Sequence, residues 1–391
     1  MKISVVLTSY NHVRFVAEAI RSVLDQDYQD FEFIIRDDGS TDKTPEIILS
    51  FKDERIKYLG SGPNLGGAAS LNECIKVARG EYIALINSDD VFLPHRLSTQ
   101  LPILDQQTEL GAVFSDAQII DESGRVATDS NSAYRSIFGQ KNRNRFDWLA
   151  HFFEHGNCLC HPSILIRRTI YEELGLYDPL LIRLPDFEMW VRLCSRYEIH
   201  IVPEPLLQFR LLNHEANTSG DNTHNRESLL YEYIHILSHF TKPEILNNLS
   251  KIFPELEDSS CLDTRDCILS LTTKALTIQR PSHQIFGLNL HRSLIQNNPD
   301  IQDIQRHLKL ERAAKPFSSF PDFLTLRENY AQLLKKSSHW ELSKEKVSNL
   351  TNSLTLAKAK ASHLKNSIEQ WNGRSWFYRI FHKFRTPGDP P

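Results

Sequence analysis

The first 115 residues alternate short apolar runs with segments of helical periodicity, and this alternation constrains the fold more than any other feature of the chain. Short apolar runs bounded by polar residues are typical of buried parallel strands. Strand–helix alternation predicts an α/β fold, with a mainly parallel sheet and helices on both faces. The predicted strands are Ile3–Leu7, Phe31–Ile35, Ile56–Leu59, Tyr82–Ile86 and Ala112–Ser115, and the predicted helices cover residues 15–24, a segment from Pro45, Leu71–Ala78 ended by Gly80, and Pro94–Leu101.

Three polar clusters directly follow predicted strands. They are Ser9–Asn11, Asp37–Asp38 and Asn87–Asp90. In parallel α/β sheets, ligands bind in the crevice at the carboxyl ends of the strands. We therefore expect the three clusters to converge on one crevice.

The remainder of the chain divides into segments of different pattern. Residues 116–215 are mixed, with a strand-like run at Ser163–Ile166, a helix over Phe187–Arg196 opened by Asp186, and an extended segment at Glu204–Leu211. Residues 225–330 have a helical pattern, and no internal repeat is present.

Residues 333–372 show a heptad pattern. Apolar positions with alternating spacings of three and four predict a coiled coil that mediates self-association or binds a partner helix. A single amphipathic helix packed on the preceding helices is the alternative. The positions are Val347, Leu350, Leu354, Ala357, Ala361, Leu364, Ile368 and Trp371.

The tail, residues 373–391, mixes aromatic and basic side chains, with no acidic residue before Asp389. Such a segment can lie on an anionic membrane surface, with its rings at the interface and its cations on head groups. The alternative is a terminal helix that packs on its own chain, or an unstructured end.

Composition excludes several classes of protein. The formal net charge of −4 over 391 residues argues against a general nucleic-acid binder. The six cysteines show no disulfide-framework spacing, and Cys158-x-Cys160-His161 lacks the second ligand pair of a zinc site. With no secretory signal and no membrane-spanning apolar run, we expect a cytoplasmic protein, free or peripheral on the inner face of the cell membrane.

An ordered series of motifs resembles family 2 glycosyltransferases of the GT-A fold, of the kind that assemble bacterial surface polysaccharides. The resemblance covers roughly residues 3–220. The motifs are VVLTSYN (5–11), SVLDQ (22–26), DDGSTD (37–42), NLGG (64–67), ARGEYI (78–83), NSDD (87–90) and LPDFEMW (184–190). It implies a GT-A-like domain over 1–220, followed by a helical domain (225–330), the coiled coil (333–372) and the tail (373–391).

The resemblance implies a nucleotide pocket lined by Thr8, Tyr10 and Asn11. Asp38 matches the family position that hydrogen-bonds the base, usually uracil, although thymidine and guanosine donors remain open. Asp89 would contact the ribose or support the metal site. From the residues alone, Asn11 could instead cap the following helix and Asp38 could form an Asp-Gly turn.

Asp89-Asp90 resembles the family's metal motif. A diphosphate leaving group gains negative charge as its bond to the sugar breaks, and a divalent ion neutralises that charge. Hard oxygen ligands select Mg²⁺ or Mn²⁺. The resemblance implies that Asp90 holds the ion, and that Arg210 and His214 form a closing segment facing the diphosphate or metal. Asn87 occupies a position where many members carry Asp.

Asp186 matches the family's catalytic base, which takes the proton of the acceptor hydroxyl. Glu188 is the second candidate. An N-cap role for Asp186 is compatible with this function. His161 and Trp190 are assigned to the donor and acceptor pocket, while His161 could equally be a hydrogen-bonded histidine beside a strand.

The resemblance thus implies inverting transfer of a sugar from a nucleotide-diphosphate donor to a hydroxyl of a glycan or lipid-linked acceptor. A Rossmann-type dehydrogenase is disfavoured because no G-x-G-x-x-G follows the first strand. A non-catalytic nucleotide-sugar-binding scaffold that assembles partners through its coiled coil is the remaining alternative.

Overall fold

The computed structural model of the protein describes residues 1–127, 137–212, 223–256 and 263–297. His214, the predicted coiled coil and the tail lie outside these ranges, and their predictions are not tested by the structure.

A mixed sheet forms the centre of the described residues. Its strands are β1 (Ile3–Ser9), β2 (Phe31–Asp37), β3 (Ile56–Ser61), β4 (Tyr82–Asn87), β5 (Val91–Phe92), β6 (Leu110–Ile120), β7 (Leu165–Arg167) and β8 (Glu198–Arg210). They are ordered β3-β2-β1-β4-β7-β6-β8-β5. β1 to β4 pair in parallel, β7 runs antiparallel between β4 and β6, and β8 is parallel to β6. The predicted α/β class is confirmed, and the antiparallel β7 makes the sheet mixed.

The helices lie between and after these strands. They are α1 (Val16–Leu24), α2 (Thr44–Ser50), α3 (Gly67–Val77), α4 (Arg96–Gln106), α5 (Arg145–His155), α6 (Arg168–Leu174), α7 (Pro185–Cys194), α8 (Thr223–Ser238), α9 (Pro243–Leu246), α10 (Leu249–Ile252), α11 (Thr264–Thr277) and α12 (Pro281–Asn297).

Apolar residues on the two faces of the sheet belong to two separate clusters. On β1, Val5 and Leu7 pack in the cluster that contains Ile20 of α1, whereas Val6 joins the cluster that contains Ile75 of α3. Successive side chains of a strand point to opposite faces. Helices therefore cover both faces, as the alternation predicts.

The described part of the helical region shares one of these clusters with the sheet. Ile236 of α8 and Leu271 of α11 pack in the same cluster as Trp148 and Phe153 of α5. No helix in the described ranges combines the length and apolar character needed to span a bilayer.

Gly80 was expected to end α3, but this expectation is wrong. The helix ends at Val77, before Gly80. A Cβ atom on Gly80 would overlap with the backbone at Ile3 and Ser4, and the Gly80 N–H donates to Ser4 Oγ at 2.8 Å. Glycine is needed here because β4 enters the sheet in close contact with β1.

Candidate active site

The three polar clusters lie at one edge of the sheet. β2, β1 and β4 are neighbours, Ser9 is in register with Asp37, and Thr8 is in register with Asn87. The sequence predicts this juxtaposition because the carboxyl ends of parallel strands meet at one edge.

Asp38 connects the end of β2 to the beginning of α3. Its buried carboxylate accepts hydrogen bonds from the N–H groups of Leu65 and Gly66 at 2.8 and 3.0 Å, and from Ser70 Oγ at 2.5 Å. Oδ2 receives one of these bonds, and a carboxylate oxygen can accept about two. The side chain is thus fixed in place and retains acceptor capacity for a ligand.

Asn11 ties the loop after β1 to the loop after β2. Its side-chain oxygen accepts from the Thr41 N–H at 2.8 Å, and its own N–H donates to Ser40 Oγ at 2.8 Å. The residue has a φ of 53°, and α1 begins only at Val16. Asn11 is therefore not the helix cap. The adjacent Tyr10 is 46% exposed.

Asp89 and Asp90 are both buried at the end of β4. Asp90 accepts from Asn87 Nδ2 and from the Arg210 N–H, each at 2.9 Å. Burial and then the charge of Asp89 raise the pKa of Asp90 well above its usual value. Burial also raises the pKa of Asp89, and the charges of His12 and Arg210 oppose that rise.

The two carboxylates are hard oxygen donors of the kind that a divalent ion prefers. Two adjacent buried acids repel one another, so a cation beside them stabilises their ionised forms. In the described ranges, no group of three His, Cys, Asp or Glu side chains could hold a metal by itself. Mg²⁺ commonly uses one or two carboxylates together with substrate phosphates and water.

Arg210 is a structural clamp on the metal motif. Its buried guanidinium donates from Nε to the Asp89 carbonyl at 2.7 Å, from Nη1 to the Asp121 carbonyl at 3.1 Å, and from Nη2 to Glu18 at 2.6 Å. The resemblance had placed Arg210 in a closing segment that faces the diphosphate or the metal. The structure places it beside Asp89 and Asp90, with the guanidinium directed at protein groups around them.

Asp186 lies in the first turn of α7. The helix begins at Pro185 after Leu184, so the N-cap assignment for Asp186 is wrong by two positions. Asn157 Nδ2 donates to Asp186 Oδ2 at 2.7 Å. Burial raises the pKa of Asp186, while His161, backbone N–H groups and Asn157 oppose the rise. A raised pKa moves a carboxyl group towards the value that suits a general base.

The charges of Asp90 and Asp186 both act on the buried Cys160. Burial raises the pKa of its thiol well above the usual value, and the charges of Asp90, Asp116 and Asp186 raise it further. Asp90 and Asp186 therefore both lie within electrostatic range of this one side chain, although 96 positions separate them in the sequence.

His161 and Trp190, the two residues assigned to the donor and acceptor pocket, differ in their contacts and burial. His161 Nε2 lies 3.2 Å from the Tyr177 hydroxyl, and burial lowers its pKa, which favours the neutral imidazole. Trp190 is fully buried, with its ring 4.8 Å from Phe114 and 5.8 Å from His161. The structure thus corrects the pocket assignment of Trp190: it supports His161 from the core and does not line an open surface.

Glu188 belongs to a buried ion-pair network. Arg192 donates to both of its oxygens at 2.7 Å, and His239 Nε2 lies 3.0 Å from Oε1. Burial alone would raise the pKa of Glu188, but His239 and Arg192 outweigh it and lower the pKa to about 2. A carboxylate so occupied is a poor proton acceptor.

Sequence reasoning missed the side chains of α8 that contact the Asp186 region. Glu232 accepts hydrogen bonds from the backbone immediately before α7, and the ring of Tyr233 lies 5.6 Å from that of Phe187. An acid in a helical pattern 46 positions after Asp186 carries no local signal of such a role.

The chain is similar to several known proteins. Residues 4–175 match the profile of glycosyl transferase family 2. An uncharacterised glycosyltransferase of Methanocaldococcus jannaschii is 31% identical over 253 residues, which cover 63% of this chain and 82% of that protein. An uncharacterised glycosyltransferase of Rickettsia prowazekii is 30% identical over 250 residues, 62% of this chain and 74% of that protein.

Among solved structures, residues 1–349 of Staphylococcus aureus TarS are similar, with a TM-score of 0.51 and 16% identity over 78% of this chain and 92% of that one. The same fragment has been solved with UDP, again with a TM-score of 0.51, at 15% identity over the same shares of the two chains. This likeness supports the GT-A-like fold. The chain belongs to glycosyltransferase family 2, and it is a glycosyltransferase.

Proposed function

We propose that the protein transfers a sugar from a nucleoside diphosphate donor, a UDP-sugar, to a hydroxyl of a glycan or lipid-linked acceptor with inversion at the anomeric carbon. The observation that carries the proposal is the arrangement of three acids. Asp38 follows β2 and Asp90 follows β4, the two strands that pair with β1, and the charges of Asp90 and Asp186 both raise the pKa of the buried Cys160.

The donor site would lie over β1 and β2. The free acceptor capacity of Asp38 suits the imide N–H of uracil, and the exposed ring of Tyr10 suits a base face. Thr8, half-buried at the end of β1, would contribute backbone contacts, and Asp89 would contact the ribose or support the metal site. The binding of UDP by TarS, a protein of similar fold, supports this choice of nucleotide.

Asp90 would hold Mg²⁺ or Mn²⁺ at the diphosphate, with His214 as a further proposed ligand. When bound, the ion would neutralise charge that develops on the leaving nucleoside diphosphate. Arg210 and Asn87 orient the Asp90 carboxylate for this task through their hydrogen bonds.

Asp186 would accept the proton of the acceptor hydroxyl, and the acceptor oxygen would attack the anomeric carbon as the nucleoside diphosphate leaves from the opposite face. The contrast in pKa supports this assignment: that of Asp186 is raised, whereas that of Glu188 is lowered to about 2 by its ion pairs. Asn157 would keep the Asp186 carboxylate oriented, and His161 would contact the sugar or acceptor.

A screen of nucleotide sugars tests the proposal. Thermal shift with UDP-glucose, UDP-N-acetylglucosamine, dTDP-rhamnose and GDP-mannose, each with Mn²⁺ or Mg²⁺, should reveal a donor that raises the melting temperature. Release of the nucleoside diphosphate should then require the metal. Stabilisation without turnover would instead favour the nucleotide-sugar-binding scaffold, and no response to any donor would contradict the proposal.

We also propose that residues 333–372 mediate self-association of a cytoplasmic enzyme. The supporting observation is the heptad pattern. Light scattering on a chain ending at Tyr330 should show a smaller oligomer than the full chain, and an unchanged oligomeric state would contradict this.

The tail is proposed to contact the inner face of the cell membrane, as its aromatic and basic composition suggests. Co-sedimentation with anionic vesicles should fall when residues 374–391 are removed. Equal sedimentation of the two proteins would contradict a role of the tail in membrane binding.

A further inference from the structure

The buried carboxylate of Glu232, on α8, binds the backbone that leads into α7, the helix that carries Asp186. Glu232 is 1% exposed and accepts hydrogen bonds from three consecutive N–H groups, those of Ile182 at 3.1 Å, Arg183 at 3.0 Å and Leu184 at 2.8 Å. Pro185, the next residue, has no N–H to donate. Charge-assisted hydrogen bonds of this kind are stronger than bonds between neutral groups.

The side chains of these three residues differ in how far they are buried. Ile182 is 68% exposed, and Arg183 and Leu184 are half-buried. Ser228, one turn earlier on α8, donates to Glu232 Oε1 at 3.1 Å and keeps the carboxylate directed at the segment. Glu232 thus holds the backbone of residues 182–184 through three directed hydrogen bonds.

Tyr233, the residue after Glu232 on α8, contacts two further segments near Asp186. The ring of Tyr233 lies 5.6 Å from that of Phe187, and its hydroxyl occupies the space where a Cβ on Gly156 would be. Gly156 precedes Asn157, whose side chain donates to Asp186. Through two consecutive residues, α8 contacts both the segment before the base and the loop that supplies its hydrogen-bond donor.

We propose that Glu232 is a positioning residue for catalysis, which acts by fixing the backbone before Asp186 so that its carboxylate meets the acceptor hydroxyl. This inference rests on the proposed role of Asp186 as the base. Small displacements of a catalytic group lower the rate of the chemical step more than they lower donor binding. Glu232 lies beyond residues 4–175, the part of the chain that matches the family profile.

The test compares full-length wild-type protein with Glu232→Gln. Glutamine has nearly the same shape as glutamate. Its amide group replaces one carboxylate oxygen with a hydrogen-bond donor, which would face the backbone N–H groups of residues 182–184. We expect faster hydrogen–deuterium exchange at residues 182–184. We also expect a fall of about tenfold or more in kcat for nucleoside diphosphate release from the donor found in the screen, with its KM changed less than about twofold.

Glu244→Gln is the matched control. Glu244 is a partly exposed acid on α9, paired at 3.2 Å with Arg196 on the surface. The control should leave both the exchange at residues 182–184 and kcat unchanged. If Glu232→Gln does not fold, Glu232→Asp takes its place in the test. Aspartate keeps the negative charge, but its side chain is one methylene shorter and places the carboxylate farther from the backbone of residues 182–184. A lower kcat is again expected.

Three results are distinguishable. If the wild type is active and a folded Glu232 variant has the same kcat, the positioning role is overturned. An equal fall in the Glu244→Gln control also overturns it. An inactive wild type contradicts the proposed function itself, and the positioning role falls with it.

Discussion

Asp186 and Glu188 lie two residues apart on α7, yet their surroundings move their pKa values in opposite directions. Asp186 is half-buried, accepts a hydrogen bond from Asn157 and lies near the His161 imidazole, whereas the buried Glu188 pairs with Arg192 and His239. Carboxylates in such different environments take different chemical roles. The resemblance ranked Asp186 above Glu188, but the local sequence carries no signal of this difference in environment, because His239 lies 51 positions after Glu188.

The Glu188 ion pairs should contribute to stability in a pH-dependent way. The folded-state pKa of about 2 lies below the ordinary value of 4.5, so the contribution is fully present above about pH 4.5 and is lost as the pH falls towards 2. Glu188→Gln should lower the free energy of unfolding by about 3 kcal/mol or more at pH 7, because it leaves Arg192 and His239 without a buried anion.

Urea unfolding at about pH 7, 5 and 3 measures this effect. Glu46→Gln, at an exposed position of α2, is the control and should match the wild type. A Glu188→Gln protein as stable as the control at pH 7 would contradict the account of this ion pair.

Arg210→Lys should weaken metal-dependent donor binding by about tenfold or more. A lysine ammonium cannot reproduce the directed contacts of the guanidinium with the Asp89 carbonyl, the Asp121 carbonyl and Glu18. Titration of the donor in the presence of Mn²⁺ measures the change. Arg14→Lys is the control, because Arg14 is 64% exposed and pairs with Glu122 at 3.2 Å. Equal donor affinity in both variants would show that the clamp is dispensable.

At the scale of elements, the apolar runs were predictable and the direction of β7 was not. β1 to β4 were predicted because each is an apolar run between polar residues, and β7 overlaps the predicted strand-like run at Ser163–Ile166, whose pattern does not indicate that it runs antiparallel. The two residues of β5 carry too little pattern to be predicted. α5 (Arg145–His155) was also missed, although its buried residues Trp148, Leu149, Phe152 and Phe153 recur at helical spacing.

The contact between α8 and the end of α5 should depend on a glycine. Gly156 has a φ of +93°, and a Cβ there would overlap with the Tyr233 hydroxyl. Gly156→Ala should therefore lower the free energy of unfolding by about 2 kcal/mol or more. Gly67→Ala is the control, since nothing lies within 4 Å of its Cβ position and its place in α3 favours alanine. Similar stability of the two variants would contradict the packing described for α8.

At the scale of the whole molecule, the sequence predicted the convergence of the acids at the strand ends better than it predicted the surroundings of Asp186. Asp38 and Asp90 lie in the segment that matches the family profile, directly after strands whose ends must meet. Asp186 lies outside that segment. Its surroundings include Asn157 and helix α8, and such long-range contacts leave no local pattern in the sequence.

The most direct test of the account is the turnover of Asp186→Asn with the donor identified by thermal shift. The control is Asp147→Asn, an exposed acid in the first turn of α5. Loss of the base should lower kcat by about a hundredfold or more while donor stabilisation of the protein is retained, and the control should behave as wild type. Near-normal turnover by Asp186→Asn would contradict the central claim that this carboxylate activates the acceptor.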